Sequence, residues 1–476
     1  MRPFPAAVLT IAAVSAALVC ASCETRPQTL SCLVSTASGD VQGADQGESC
    51  AFLGIPFAAP PVGALRWKPP QPGAAWAPAT LQATASPAIC PQVSQTESGL
   101  TLGTEDCLKL NIWTPNPAPV SPVPVIVWIH AGAFTSDSEH LAAHDGQKMA
   151  ERSGAVVVTA NYRIGPFGFL GHPALSTEDP RYKSSGNYGF LDQRVALAWV
   201  RDHIAAFGGN PADVTIAGQS AGADSVSLHL VSPGSAGYFS RAIMQNGYAS
   251  SRWRTLADAE SLGDDLAAAL GCADSSHVLD CMRTKTAEQV ILGLPTGQEQ
   301  FAETARAQWG PVVDGLEIPD QPRWLYERGA FNHVAVVIGA TGNPGWVYVD
   351  RSFPANLTPE VYEAEVEAEF GTADASAIRA KYPLADFPSP KHALARMTGD
   401  VEAVCEARRI GRLVERARTS VRRYSFDDQA EARNFVFGKG LATASDRVSR
   451  ERETTCDFWE PFFLRSVVGS VPASQP

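Results

Sequence analysis

The sequence has no basic block. Lys and Arg number 38 against 50 Asp and Glu in 476 residues, a formal net charge of −12. The pI near 5.3 follows from that imbalance. A chain of this kind offers no stripe of cations to a phosphate backbone, so nucleic acid is not an expected partner. Beyond the N-terminal segment there is no C-x-x-C and no Cys/His cluster, which argues against a zinc site, and neither a metal nor a cofactor is expected. Beyond the N-terminus no apolar run approaches the ~18 residues needed to span a bilayer. Internal repeats and low-complexity tracts are absent, and the 39 glycines and 35 prolines follow no period, which excludes a collagen-like or linker array. What is abundant is apolar: 45% of residues are hydrophobic, ample for a large core and incompatible with wholesale disorder.

The first segment reads as a targeting signal rather than as structure. Arg2 gives a short positive start, and residues 6–20 (AAVLTIAAVSAALVC) form an apolar stretch, short for a membrane span and right for a secretory signal. Residues 1–22 are therefore expected to be removed. Residues 19–23 (VCASC) also resemble a bacterial lipoprotein box, with Cys23 as the lipidated residue. Two readings stand, plain secretion and a lipid anchor, so any membrane contact is expected through that anchor alone. Either way the chain is exported: secreted, periplasmic or at the cell surface.

Export agrees with the cysteines. Eight follow Cys23: Cys32, Cys50, Cys90, Cys107, Cys272, Cys281, Cys405 and Cys456. An even number in an exported chain suggests disulfides. The sequence alone allows 105 pairings, and pairing each with its neighbour closes three short loops and one long one.

Short apolar runs without polar alternation recur at 123–129 (VPVIVWI), 155–159 (AVVVT), 214–217 (VTIA) and 334–338 (VAVVI). They have the character of strands covered on both faces. Between them, residues 187–207 place Leu191, Val195, Ala198 and Trp199 at helical spacing, and Phe207-Gly208-Gly209 stops the helix. Strand, helix and strand in succession predict an α/β fold with a mostly parallel central sheet and crossover helices. Residues 251–420 are more helical and more charged, and they read as a cap-like insertion within one domain spanning 32–465.

The most informative run is 214–230 (VTIAGQSAGADSVSLHL). An apolar strand enters Gly218-Gln219-Ser220-Ala221-Gly222 and a helical segment follows. This is G-x-S-x-G in the strand–turn–helix context that gives it meaning. The turn strains Ser220 and exposes its hydroxyl as a nucleophile, and side chains at Gly218 and Gly222 would collide with neighbouring elements. A second strand, 126–129, opens after His130 into small residues. Such a loop lets a carbonyl approach backbone N–H donors; the candidate oxyanion donors are the amides of Gly132, Ala133 and Ala221.

These elements, with the blocks AFLGIPFAAPPVGALRW (51–67), TEDCLKLNIWTP (104–115), NYRIGPFGFL (161–170), GNYGFLDQRVALAWVRDHIAAFGGNP (186–211), YFSRAIMQNG (238–247) and PVVDGLEIPD (311–320), resemble the type-B carboxylesterases, the cholinesterase-like branch of the α/β-hydrolases, here an exported bacterial member. The resemblance implies an α/β-hydrolase fold with a helical cap, disulfides Cys90–Cys107 and Cys272–Cys281, and a structural salt bridge between Arg66 and Glu105. It also implies that Ser220 is partnered by a Glu and then a His. In this chain the Glu position, in Gly339-Ala340-Thr341-Gly342-Asn343-Pro344-Gly345, holds Pro344. The His position, counted back from Phe435-Val436-Phe437-Gly438, holds Gln429, and no histidine follows His392. Ala131 and Ala133 replace glycines of the usual run, and a Cβ disfavours positive φ. His229 lies nine residues past Ser220, about 13 Å along a helix, and is expected to point away.

The expected function is therefore a serine carboxylic ester hydrolase acting on a small-molecule ester through an acyl-enzyme on Ser220, with activity weak or absent because Pro344 and Gln429 replace its acid and base. The alternative is a catalytically silent cholinesterase-like protein that binds a ligand or partner in the secreted or surface compartment.

Overall fold

In the computed structural model of the chain, the description covers residues 31–94, 97, 99–139, 144–247, 253–273, 277–294, 308–426 and 454–459. The expected signal segment 1–22, Cys23 and Gln429 lie outside these residues. The apolar runs form the centre of a nine-stranded sheet. Its strands, in chain order, are β1 (Ala44–Asp45), β2 (Cys50–Pro56), β3 (Lys109–Thr114), β4 (Val123–Ile129), β5 (Val156–Ala160), β6 (Gly209–Gln219), β7 (Arg241–Gln245), β8 (Ala335–Thr341) and β9 (Val421–Phe426). They lie side by side as β9-β8-β7-β6-β4-β5-β3-β2-β1. From β9 to β5 every pairing is parallel, and β3, β2 and β1 add an antiparallel edge. The sheet is thus mostly parallel, and with helices flanking it the α/β-hydrolase fold is the observed one.

Every residue of β5 is buried, which explains a sequence without polar alternation: a strand covered by helices on both faces has no wet side. The crossover helix α1 (Tyr188–His203) buries Leu191, Ala196, Leu197, Trp199 and Val200, whereas Val195 and Ala198 are half-exposed. Its apolar stripe is wider than the expected positions. A 3₁₀ turn extends it to Phe207, and Gly208 ends it in the left-handed conformation at φ 85°.

Between β8 and β9 the chain inserts four helices: α3 (Trp346–Ser352), α4 (Pro359–Lys381, broken at Gly371), α5 (Pro390–Gly399) and α6 (Cys405–Arg416). They enclose a second apolar cluster around Tyr362, Val366, Ile378, Tyr382, Leu394 and Trp459. A buried polar chain runs through it: Trp459 Nε1 donates to the Tyr382 hydroxyl (2.8 Å), which donates to Asp400 (3.1 Å), which also accepts from Arg396 (2.8 Å). A single turn of π-helix at Asp400–Val404 joins α5 to α6.

Four disulfides are present: Cys32–Cys50, Cys90–Cys107, Cys272–Cys281 and Cys405–Cys456. The long loop of 51 residues staples Cys456 to the second cluster. Disulfides persist in oxidising compartments, so they agree with export. Arg66 and Glu105 form the salt bridge, with Nη2 and Nε 2.5 and 2.7 Å from the carboxylate oxygens. Among the described residues no helix is long and apolar enough to cross a membrane.

Candidate active site

Strand β6 ends at Gln219, and helix α2 (Ala221–Val231) begins one residue later. Ser220, between them, has φ 54° and ψ −128°, a strained conformation for a residue with a Cβ. The surroundings impose it. The Ser220 N–H donates to the Gln245 carbonyl at 2.9 Å, and its own carbonyl accepts from Asp224 N–H at 2.9 Å. A Cβ on Gly218 would sit 2.4 Å from the carbonyl carbon of Gly222, and one on Gly222 would sit 2.1 Å from the Ile129 oxygen. Both glycines are therefore required by close approach, and Ser220 stands half-buried at the C-terminal edge of the sheet with the α2 N-terminus beneath it.

The loop after β4 begins beside this turn, because Ile129 is paired with Gly218 across the β4–β6 ladder. Gly132, Ala133 and Phe134 all take positive φ, at 90°, 52° and 62°. Ala133 thus adopts the left-handed conformation despite its Cβ. A Cβ on Gly132 would meet the Ser136 oxygen at 2.0 Å, and the Gly132 carbonyl accepts from the N–H groups of Thr135 (2.9 Å) and Ser136 (3.0 Å). Phe134 packs edge-on against Phe169 and Trp253. Gly132, Ala133 and the buried Ala221 are in this way brought to the same sheet edge as Ser220.

On the other flank, β7 leads into Asn246, again left-handed at φ 49°. Its side-chain oxygen accepts from Thr341 N–H at 2.8 Å and its own N–H donates to the Gly339 carbonyl at 3.0 Å, so the ends of β7 and β8 are tied together. Pro344 follows and packs closely on α5: a Cβ on Gly399 would lie 2.8 Å from the Pro344 ring, and one on Gly345 would lie 2.2 Å from the Ala395 oxygen.

Four of the described histidines have partners away from the Ser220 hydroxyl. His130 stacks on Tyr162 at 4.2 Å between centroids, and its Nδ1 donates to Ala131 O at 3.1 Å. Burial, with the nearby His144, pushes its pKa down to about 3. His229 does point away: it lies against Phe190, with Nδ1 2.8 Å from the Ser235 hydroxyl and Nε2 3.1 Å from Gln193. Burial and then Arg194 lower it to about 3. His392 contacts Ser389 and Trp346, and His333 contacts Thr419 and Phe331. Among the described residues no histidine hydrogen-bonds to the Ser220 hydroxyl.

Sequence reasoning passed over Asn246, although Asn before Gly is a left-handed turn signal. It also passed over Gln92 and Asp137, whose backbone and side-chain bonds hold the loop after β4; nothing local in the sequence marks that contact.

The chain matches the profile described as Carboxylesterase family over residues 31–450. It is 38% identical over 398 residues to a fumonisin B1 esterase of Sphingopyxis macrogoltabida, covering 82% of this chain and 70% of that protein. It is 39% identical over 344 residues to an acetylcholinesterase of Electrophorus electricus and 38% identical over 343 residues to one of Bungarus fasciatus. These two matches take in 67% of this chain, which spans only 52% and 54% of the acetylcholinesterases' own length.

Proposed function

The chain belongs to the carboxylesterase family, and on that premise we propose that it is an ester hydrolase working through an acyl-enzyme on Ser220. The observation that carries this reading is the strained turn at Ser220, φ 54°, between β6 and α2. Ser220 Oγ adds to the ester carbonyl, the amides of Gly132, Ala133 and Ala221 hold the negative oxygen, the alcohol departs, and water releases the acid. No cofactor enters these steps. Because Pro344 and Gln429 stand where the family pattern has Glu and His, the serine proton passes to solvent and turnover is slow. Oxyanion donors and binding alone leave ~10³–10⁴-fold acceleration over water in a serine protease stripped of its triad.

The test is intact-mass and peptide analysis after prolonged exposure to a fluorophosphonate. A slow adduct confined to the Ser220 peptide and abolished by Ser220→Ala is expected. No adduct at any exposure would leave the silent ligand-binding reading, in which Ser220 has neither acid nor base. Rapid labelling would instead require a base that neither reading includes. The four disulfides support export as the setting. Within it, loss of membrane partitioning in Cys23→Ala separates a lipid anchor from free secretion.

A further inference from the structure

The loop after β4 carries left-handed backbone at Gly132, Ala133, Phe134 and Asp137. Three of these four residues bear a Cβ, so the conformation has to be held from outside. Gln92 meets the loop at its far end. It lies two residues past Cys90, inside the loop closed by Cys90–Cys107, and begins the short strand Gln92–Val93 that pairs with Thr101–Leu102. Its side chain is buried. The carboxamide oxygen accepts from Asp137 N–H at 2.9 Å, and Nε2 donates to the Asp137 carbonyl at 3.0 Å and to the Cys90 carbonyl at 3.1 Å. Gln92 thus addresses both backbone groups of one residue, as a neighbouring strand would.

From these contacts we infer that Gln92 is a positioning residue for the oxyanion loop, acting through Asp137. This rests on the reading that Gly132 and Ala133 supply oxyanion donors. Asp137 takes φ 81°, and it follows Ser136, whose N–H is bonded to the Gly132 carbonyl at 3.0 Å and whose own oxygen fills the space a Gly132 Cβ would need. A shift of Asp137 therefore passes through one peptide unit to the amides of Gly132 and Ala133. Other holds are weaker at Asp137 or lie elsewhere on the loop: His144 Nδ1 stands 3.7 Å from the Asp137 carboxylate and 2.7 Å from Ser138 O, the Tyr162 hydroxyl is 3.5 Å from the Ala131 carbonyl, and Gly165 N–H donates to Phe134 O at 2.6 Å. The requirement at position 92 is chemical. A carboxamide offers a donor and an acceptor side by side without charge. A carboxylate would keep the bond from Asp137 N–H, lose the one to Asp137 O, and add a second negative group beside the Asp137 side chain.

Wild type, Gln92→Ala and Gln92→Glu would be compared on p-nitrophenyl acetate and by backbone hydrogen exchange of residues 131–139. Loss of an oxyanion donor costs up to ~10²–10³-fold in kcat, so a slackened loop is expected to cost about tenfold, with KM within about twofold. Exchange at 132–138 is expected to quicken about tenfold while β6 and α2 stay unchanged. A purely structural role would shift exchange throughout and leave kcat alone. If Gln92→Ala does not fold, Gln92→Glu carries the same readouts. Unchanged loop exchange, or unchanged kcat in an active protein, overturns the inference. Should wild type show no turnover, the hydrolase reading fails by itself, and exchange alone decides whether Gln92 holds the loop.

Discussion

On the β4 side of Ser220, the loop through Gly132 and Asp137 is bent by repeated left-handed residues and tied by backbone bonds. On the β8 side, the loop through Pro344 is held by side-chain packing on α5 and by the Asn246 bridge. On the proposed reading the first flank would act through N–H groups, which every residue but proline supplies. It needs glycine only where a Cβ has no room, as at Gly132, and it tolerates alanine at 131 and 133. The second flank, on the same reading, is where the family pattern places side chains, a Glu and a His. There, on the reading proposed above, a single replacement would remove the chemistry while the fold, which asks only for a well-packed loop, accepts it. On that reading the two sides of the candidate site are exposed to sequence change in different ways.

The largest effect that would sharpen this contrast is with pH. His130, at the end of β4, and His229, on α2, are held from the ordinary histidine value of 6.5 down to about 3, chiefly by burial. The unfolded chain therefore binds two more protons than the folded one between those values. Their contribution to stability is complete above pH 6.5 and is lost as pH falls toward 3, by ~1.4 kcal/mol per pH unit for each ring. Urea unfolding between pH 4 and 6.5 should show this slope, and His229→Gln should remove about half of it. A slope unaltered by that change would mean the ring titrates normally.

Next in size is the cap. Removing Cys405–Cys456 by paired alanines frees a 51-residue loop and should cost ~2–4 kcal/mol. Thermal unfolding measures the loss, and the rate of Ser220 labelling should not change. A parallel loss of labelling would show that the two flanks are coupled.

Restoring the side chains of the second flank comes third. Pro344→Glu with Gln429→His is expected to raise kcat/KM on p-nitrophenyl acetate by ~10²-fold, the lower end of what general base catalysis supplies. Each single change should stay within about twofold, since an imidazole without its acid is poorly oriented. If the double variant gains nothing, the flank is altered beyond those two positions.

The smallest effect lies at Ala133, with φ 52°. Ala133→Gly relieves ~1–2 kcal/mol of left-handed strain but adds ~0.5–1 kcal/mol of unfolded-chain entropy, so a net gain of about 0.5 kcal/mol is expected in chemical denaturation. A loss would mean that the alanine methyl contributes packing that outweighs its strain.

Much of this architecture was legible without coordinates, for reasons that are local. Runs such as 123–129 and 155–159 read as strands, and G-x-S-x-G after such a strand announces its own turn. The second run is buried along its whole length, whereas the first alternates, with Pro124 exposed and Ile126 and Trp128 half-buried. The nearest-neighbour pairing of the cysteines matches the four disulfides. That Pro344 stands at the position of the expected acid is an expectation drawn from the sequence alone. What the sequence could not convey is which distant groups hold that turn and its loops. Gln92 and Asp137 are 45 positions apart, and Asn246 and Thr341 are 95 apart. Neither pair has a period or a motif, because a single polar side chain satisfying one distant backbone group leaves no pattern in its own neighbourhood. Local periodicity and turn chemistry determined the sheet, its helices and the place of Ser220. The tertiary structure decided how the loops beside Ser220 are held, since buried backbone groups must find partners wherever the fold brings them.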